Sequence, residues 1–489
     1  MSGPDFNLVA IARREMIERG FHPDFPRDAQ TEAAALSDDS LPPTNGRVRD
    51  LRNLLWSSID NDTSRDLDQI EVAEAAGDAI RIRVGIADVD SRVPPGSPID
   101  GYAADATTTV YAAVATFPML PERLSTDVTS LNENAYRLAI VIEMLVAEDG
   151  STSDGGVYPA LVHNRAQLTY NGVGPWLEGK NGPPPKVAES PDLQAQLQLQ
   201  NTAAQRLRAA RARLGALNLD RPETEPIVSG GHVESIGARK ANRASKLIED
   251  FMIASNQVMA TTLEKAGVSS IRRIVRKPER WPRIVELAAG YGDKLPPEPD
   301  ARALNEFLVR RKQADPVHYA DVSLAVLKLM GPGEYVLARR GDPDPGHFAL
   351  AAHDYTHSTA PNRRFADLVT QRLIKAVLAK QAAPYTDDQL DAIATHCTQK
   401  EDAARKVQRD MYKRISAAAL AKHVGQSYAA VVTGVVPKGV FVRVLDPPVE
   451  GKLMYGERGL DVGDRVHVKL LHVDPERGFI DFGANSDRS

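Results

Sequence analysis

Two hydrophobic rhythms organise the chain. Near the start, Leu8, Ile11, Ala12 and Met16 recur at helical spacing behind Asn7, whose side chain can cap a first turn. That helix runs into Pro23, Pro26, Pro42 and Pro43, so residues 1–46 read as a short helical segment and connector. From 47 to about 175 the period drops to two. Residues 80–87 (IRIRVGIA) alternate strictly, and Gly77 and Asp78 separate them from residues 70–73 (IEVA), which predicts a β-hairpin. Pro183, Pro184 and Pro185 predict a surface loop, and helical periods follow over 192–214, 245–266 and 364–379. From Gly425 the texture becomes short strand-like runs at 428–436, 440–445, 465–473 and 478–482, broken by Gly, Pro and Asp. That pattern suits a small closed barrel, the OB type being the simplest candidate. No internal repeat is present.

A chain of 489 residues exceeds what one core usually organises, and its 42% hydrophobic content supports folded domains rather than disorder. The single cysteine, Cys397, excludes an intramolecular disulfide and any multi-cysteine zinc site, so metal chemistry must use oxygen or histidine ligands. Asp5, Arg13, Arg14, Glu15 and Glu18 interrupt the first twenty residues, which fit neither a signal peptide nor a membrane span. A cytoplasmic protein is the expectation. The formal charge of −5 gives no general reason to suspect nucleic acid. Local clusters do exist: Arg206, Arg208, Arg211 and Arg213; Arg239, Lys240, Arg243 and Lys246; Arg272, Arg273, Arg276 and Lys277. Each of these reads most simply as a solvated helix face.

The densest acidic constellation holds Asp60, Asp62, Asp66 and Asp68 and leads directly into the first strand of the hairpin. If Asp66 and Asp68 are extended, both carboxylates project from one face. Crowded carboxylates repel unless a cation neutralises them, and oxygen-only donors suit magnesium or manganese. Alone, such a segment also describes an ordinary acidic turn.

The text around it resembles the ribonuclease II/R (RNB) family over nearly the whole chain. The acidic block is followed by Ile86-Ala87-Asp88-Val89, by Pro95 to Asp100, by the run from Phe117 to Ser125, and by Ser130-Leu131. Further on stand Arg165 to Tyr170, Leu247 to Met252, and Thr359 to Asp367, all in the order and spacing of that family. The last sixty residues are similar to its S1 RNA-binding domain, with Val435 to Val442 at the entry of the second strand.

The resemblance implies an α+β fold: an RNB catalytic domain over 47–424, a β-sheet flanked by helices, followed by an S1-type OB-fold barrel over 425–489. It implies a hydrolytic, processive 3′-to-5′ exoribonuclease that uses Mg2+, with Mn2+ able to substitute, on single-stranded RNA 3′ ends, acting as a monomer. Asp60, Asp66 and Asp68 match three of the family's four catalytic aspartates and metal ligands, while Gln69 stands at the fourth. Arg363 matches the arginine of the family's Ser-Pro-Ile-Arg motif, with Ala360 in place of the serine and Asn362 in place of the isoleucine. Tyr111 falls beside the terminal nucleotide, and Tyr170 and Glu249 where the family reads the ribose. Gln408 aligns with a further family glutamate. In the barrel, Phe441 and Tyr455 are placed to stack on bases and Lys438 and Arg443 to meet phosphates. The cold-shock domains usual in the family do not fit into the roughly 46 residues before the catalytic part. Two acid-to-glutamine changes leave open a second reading, an RNA-binding pseudo-nuclease that holds 3′ ends. A metal phosphomonoesterase is a third, opposed by the terminal barrel.

Overall fold

The computed structural model describes residues 7–37, 48–219, 223–229, 232–239, 241–316, 318–343 and 345–484. Pro42, Pro43, the expected 46/47 boundary, Lys240 and the Arg239 side chain lie outside the described residues. The first helix, Leu8–Glu18, is capped as its sequence predicts: Asn7 Oδ1 accepts the Ala10 N–H at 2.9 Å. Its buried face does not pack on the main core. Leu8, Ile11, Ala12 and Met16 join Val407, Met411 and Ile415 of the 34-residue helix Asp387–Leu420.

Eight strands lie between residues 48 and 169: β1 (Arg49–Asp50), β2 (Trp56–Asp60), β3 (Gln69–Ala76), β4 (Ala79–Ala87), β5 (Val110–Tyr111), β6 (Thr116–Phe117), β7 (Tyr136–Val146) and β8 (Thr152–Thr169). Six of them form a sheet of order β1-β8-β2-β3-β4-β7. β8 runs antiparallel to β7 and then continues parallel to β2, so the sheet curls back on itself. The β3–β4 hairpin forms as expected, with Gly77 at φ +63° in a turn that a side chain would strain. One core joins Ile82, Val84, Ile86 and Ile142 of the sheet to Leu197 and Leu207 of helix Pro191–Leu214 and to Phe251 and Met259 of helix Arg243–Ala266. Each such side chain contributes about 1.5–3 kcal/mol by leaving water. Behind these lies helix Phe365–Ala379, buried along most of its length.

Three further helices, Trp281–Gly290, Ala301–Ala314 and Tyr319–Met330, build a separate core around Trp281, Phe307 and Tyr319. The terminal barrel closes from Ser427–Val436, Gly439–Val444, Glu450–Tyr455, Arg465–Asp474 and Phe479–Ala484. Its third strand escaped the sequence reading because it follows Pro447 and Pro448 and carries Gly451. That glycine is a packing requirement, since a Cβ there would lie 2.6 Å from the Phe482 ring. The triple-proline segment is also corrected: Pro185 starts a one-turn helix, Pro185–Ala188, where proline's fixed φ is favourable.

Most of the basic clusters are not solvated faces. Arg208 and Arg211 both reach the buried Asp250, Arg272 meets Glu264, Arg273 meets Glu401 and Arg276 meets Glu334. They tie elements together and are committed to carboxylates. Among the described residues no helix is long and apolar enough to cross a membrane.

Asp250 tests this picture, because it is 1% exposed and locks helix Pro191–Leu214 onto helix Arg243–Ala266. Asp250→Ala strands two arginines and is expected to cost about 3–5 kcal/mol in a urea melt. Its exposed neighbour Glu249 should change stability by less than about 0.5 kcal/mol when mutated to alanine.

Candidate active site

The acidic constellation occupies the end of β2, residues 61–68, and the first residue of β3. These residues are stitched into place rather than free. The Leu67 N–H donates to Ser130 Oγ at 2.9 Å, Ser130 Oγ donates to the Arg65 carbonyl, and the Leu131 N–H donates to the Leu67 carbonyl. The Leu67 side chain is fully buried as a plug, and the Ala87 N–H donates to the Asp68 carbonyl at 2.9 Å. The charges of Asp66 and Asp68 act on each other, and both act on Arg363 and Tyr111.

Asp60 Oδ1 accepts the Asn61 N–H at 2.7 Å and the Ser64 hydroxyl at 2.9 Å. Asp66 Oδ2 accepts the Tyr111 hydroxyl at 2.9 Å. Asp68, 1% exposed, accepts the Asn362 N–H on Oδ1 and Arg363 Nε on Oδ2, each at 3.0 Å. Burial pushes the Asp68 carboxyl up to about 7, against the lowering effect of the Arg363 charge and the Asn362 N–H. Burial also raises the Tyr111 phenol, and the Asp66 charge adds to it.

Two distant segments are held together here by backbone bonds. The Thr109 N–H donates to the Arg363 carbonyl at 3.0 Å and the Phe365 N–H to the Thr107 carbonyl at 2.8 Å. The hairpin β5–β6 that carries Tyr111 rests on Val407 and Met411, the residues that flank the half-buried Gln408. Asp62 is exposed and accepts a hydrogen bond from the Asn171 side-chain amide. Tyr170 begins helix Tyr170–Leu177, which packs against helix Arg243–Ala266 bearing the exposed Glu249.

In the barrel, Val440, Val442 and Val444 point inward, which leaves Phe441 on the outward face opposite Lys452. Lys438 and Tyr455 are exposed, whereas Arg443 pairs with Asp321 of helix Tyr319–Met330. Arg443 thus docks the barrel on the helical part.

Residues 48–380 match the RNB domain model, and residues 426–485 match that of the RNase II-type exonuclease C-terminal S1 domain. The chain belongs to the RNB family. Ribonuclease R of Thermotoga maritima is 28% identical over 99% of this chain and 71% of that protein. Ribonuclease R of Escherichia coli K12 is 30% identical over 94% of this chain and 60% of its own length. The chain thus spans 60–71% of the length of these two relatives. The fold overlays on Mycoplasma genitalium RNase R, solved in complex with ribose methylated single-stranded RNA, with a TM-score of 0.88 at 22% identity. That overlay covers 99% of this chain and 79% of the other.

This RNB site offers oxygen donors only: the carboxylates of Asp60, Asp66 and Asp68 and the amide of Gln69. Among the described residues no three Asp, Glu, His or Cys side chains already form a cage for an ion. The donor chemistry nonetheless fits a hard divalent cation. A second observation agrees. Glu71, two residues beyond Gln69 on β3, is fully buried and neither carboxylate oxygen has a protein partner. Sequence reasoning missed Glu71 because its alternating surroundings mark a solvent face.

The Asp68 environment sets a pH dependence. A carboxyl whose folded pKa is raised favours the folded state below its unfolded pKa, and that contribution fades as pH rises through about 7. In EDTA, Tm should therefore fall from about pH 4 to about pH 8. Arg363→Ala removes the charge that lowers this pKa and should carry the fall to higher pH. A fall that ends at the same pH in wild type and variant in a thermal melt series would contradict the assignment.

Proposed function

We propose that this chain is a hydrolytic, processive 3′-to-5′ exoribonuclease that degrades single-stranded RNA with Mg2+, for which Mn2+ can substitute. The observation that carries the reading is the pairing of Asp68 with Arg363 beside the Asp66–Tyr111 bond. It unites in one place the acid, the cation and the aromatic ring that the chemistry needs. The joint retention of Asp60, Asp66, Asp68, Tyr111 and Arg363 favours the enzyme over the pseudo-nuclease reading, because a protein that only holds RNA ends needs no metal site. Residues 47–424 act as the catalytic unit and 425–489 as an RNA-holding barrel, in a cytoplasmic monomer.

Hydrolysis adds water across the last phosphodiester. The water oxygen bonds to phosphorus, and the P–O3′ bond breaks. The departing O3′ takes a proton and becomes the new 3′ end, and a nucleoside 5′-monophosphate leaves. A divalent cation held by Asp60, Asp66, Asp68 and Gln69 supplies neutralising charge and a more acidic water. Arg363, its side chain 42% exposed, uses Nε on Asp68, leaving its terminal nitrogens to hold phosphate oxygens as negative charge builds in the transition state. Tyr111, fixed by Asp66, presents an aromatic face to the terminal base, and such a face accepts any base. Tyr170 and Glu249 are assigned to the ribose, where a phenol and a carboxylate can engage a 2′-hydroxyl that both donates and accepts. Phe441, Tyr455 and Lys438 give the barrel stacking rings and a phosphate contact.

A time course on 5′-labelled single-stranded RNA should show full-length substrate passing directly to a short limit product, with nucleoside 5′-monophosphates released and EDTA stopping the reaction. Cleavage of circular RNA would refute an exonuclease. Asp68→Asn should abolish cleavage yet keep RNA binding, and Arg363→Ala should lower turnover by about 10²–10³-fold. Near-normal turnover in either variant would remove the residue from the site.

Deleting residues 425–489 should weaken RNA affinity and flatten its dependence on salt, since fewer phosphates are then neutralised. An unchanged salt slope would make the barrel a bystander.

A further inference from the structure

Residues 129–131 touch both walls of the site. Ser130 and Leu131 hold the acidic segment through their bonds to Arg65 and Leu67. Thr129 faces the arginine motif. It is buried and closes the helical turn Arg123–Val128, its N–H and its hydroxyl both reaching the Leu124 carbonyl, at 3.1 and 2.9 Å. The same hydroxyl meets Asn362 Oδ1 at 2.5 Å, so one proton is shared between two oxygens. Asn362 is 0% exposed, and among the described residues its Nδ2 has no hydrogen-bond partner.

Stability does not account for an asparagine at this position. The family's isoleucine would bury no polar atom, whereas this amide leaves one N–H unsatisfied in the interior. Its place in the site points to another role. The Asn362 N–H donates to Asp68 Oδ1, and the next residue, Arg363, sets Nε on Asp68 Oδ2, both at 3.0 Å. We propose that Thr129 and Asn362 are positioning residues, whose side-chain bond fixes the backbone from which Arg363 reaches Asp68 and the phosphate. The proposal rests on the exoribonuclease reading above and adds two residues to it. The Thr109 N–H already anchors the Arg363 carbonyl, and the Thr129 hydroxyl supplies a second anchor one residue earlier. Because Ser130 and Leu131 hold the acidic segment, one three-residue span gauges the carboxylates against the guanidinium. The main-chain bond to Asp68 outlasts any side chain at 362, but how firmly that main chain is held depends on the side chain. Misplacing a catalytic group by about 1 Å costs up to about 100-fold in rate.

The test is turnover of 5′-labelled single-stranded RNA by the full chain, alongside thermal melts in EDTA. Thr129→Val and Asn362→Ile should each lower kcat about 10–100-fold and leave KM within about 2-fold. Melting should separate the two. Thr129→Val lowers Tm by stripping a buried amide of its one partner, whereas Asn362→Ile holds or raises it. A contact that served stability alone would move kcat and Tm together. The double variant Thr129→Val with Asn362→Ile should recover most of the turnover, because two apolar side chains replace two polar ones. In an Arg363→Ala background, Thr129→Val should cost less than about 2-fold more, since the contact acts through Arg363. Single variants that keep wild-type kcat overturn the proposal while the exoribonuclease reading stands, and so does a further loss of about 10-fold in the Arg363→Ala background. A wild type that leaves RNA intact removes both. If Thr129→Val does not fold, Asn362→Ile and the double variant decide: kcat lost in the first and recovered in the second supports the contact, and losses that add overturn it.

Discussion

The contact between Asp68 and Arg363 joins two parts of the chain almost 300 residues apart, and the geometry of the site follows from it. An aspartate 1% exposed is costly unless its oxygens are engaged, and here each oxygen has one donor, a guanidinium and a backbone N–H. That requirement draws residues 360–365 against the acidic segment. The backbone bonds from Thr107 to Thr109 then bring the Tyr111 hairpin alongside, and Tyr111 reaches Asp66. The same constraint shows why two departures from the family motif are tolerated. Asn362 serves Asp68 through its main-chain N–H, and Ala360 serves Asp367 through its own. Both substitutions fall where the backbone makes the contact, so the arrangement survives the change of side chain.

What the sequence made legible was mostly local. The Asn7 cap, the Gly77 turn and the long helices are written in contiguous residues, and periodicity suffices to read them. The resemblance located Asp60, Asp66, Asp68, Tyr111 and Arg363, and the fold brings Asp66 to Tyr111 and Asp68 to Arg363. Tertiary choices stayed hidden. Arg208 and Arg211 look like a solvated basic face until Asp250 is found beneath them, and Arg443 looks like a phosphate contact until Asp321 is found opposite. Glu71 shows the reverse error, since an acid in an alternating hairpin suggests solvent. Both faces of β3 are in fact covered, and only three-dimensional packing records that.

The internal use of cations bears on how a polyanion is recognised. With a formal charge of −5 and several clustered arginines committed to carboxylates inside the fold, those clusters offer less to a phosphate than the sequence suggests. On the proposed reading, affinity draws on well-placed contacts: Arg363 at the site, and on the barrel Lys438 together with the outward Phe441 and the exposed Tyr455. Stacking and guanidinium contacts of this kind are made fully only by an unpaired strand that is threaded into place. A duplex laid on the surface meets few of them. On the proposed reading, a preference for single-stranded 3′ ends is therefore a consequence of where the positive charge has been withdrawn as much as of where it remains.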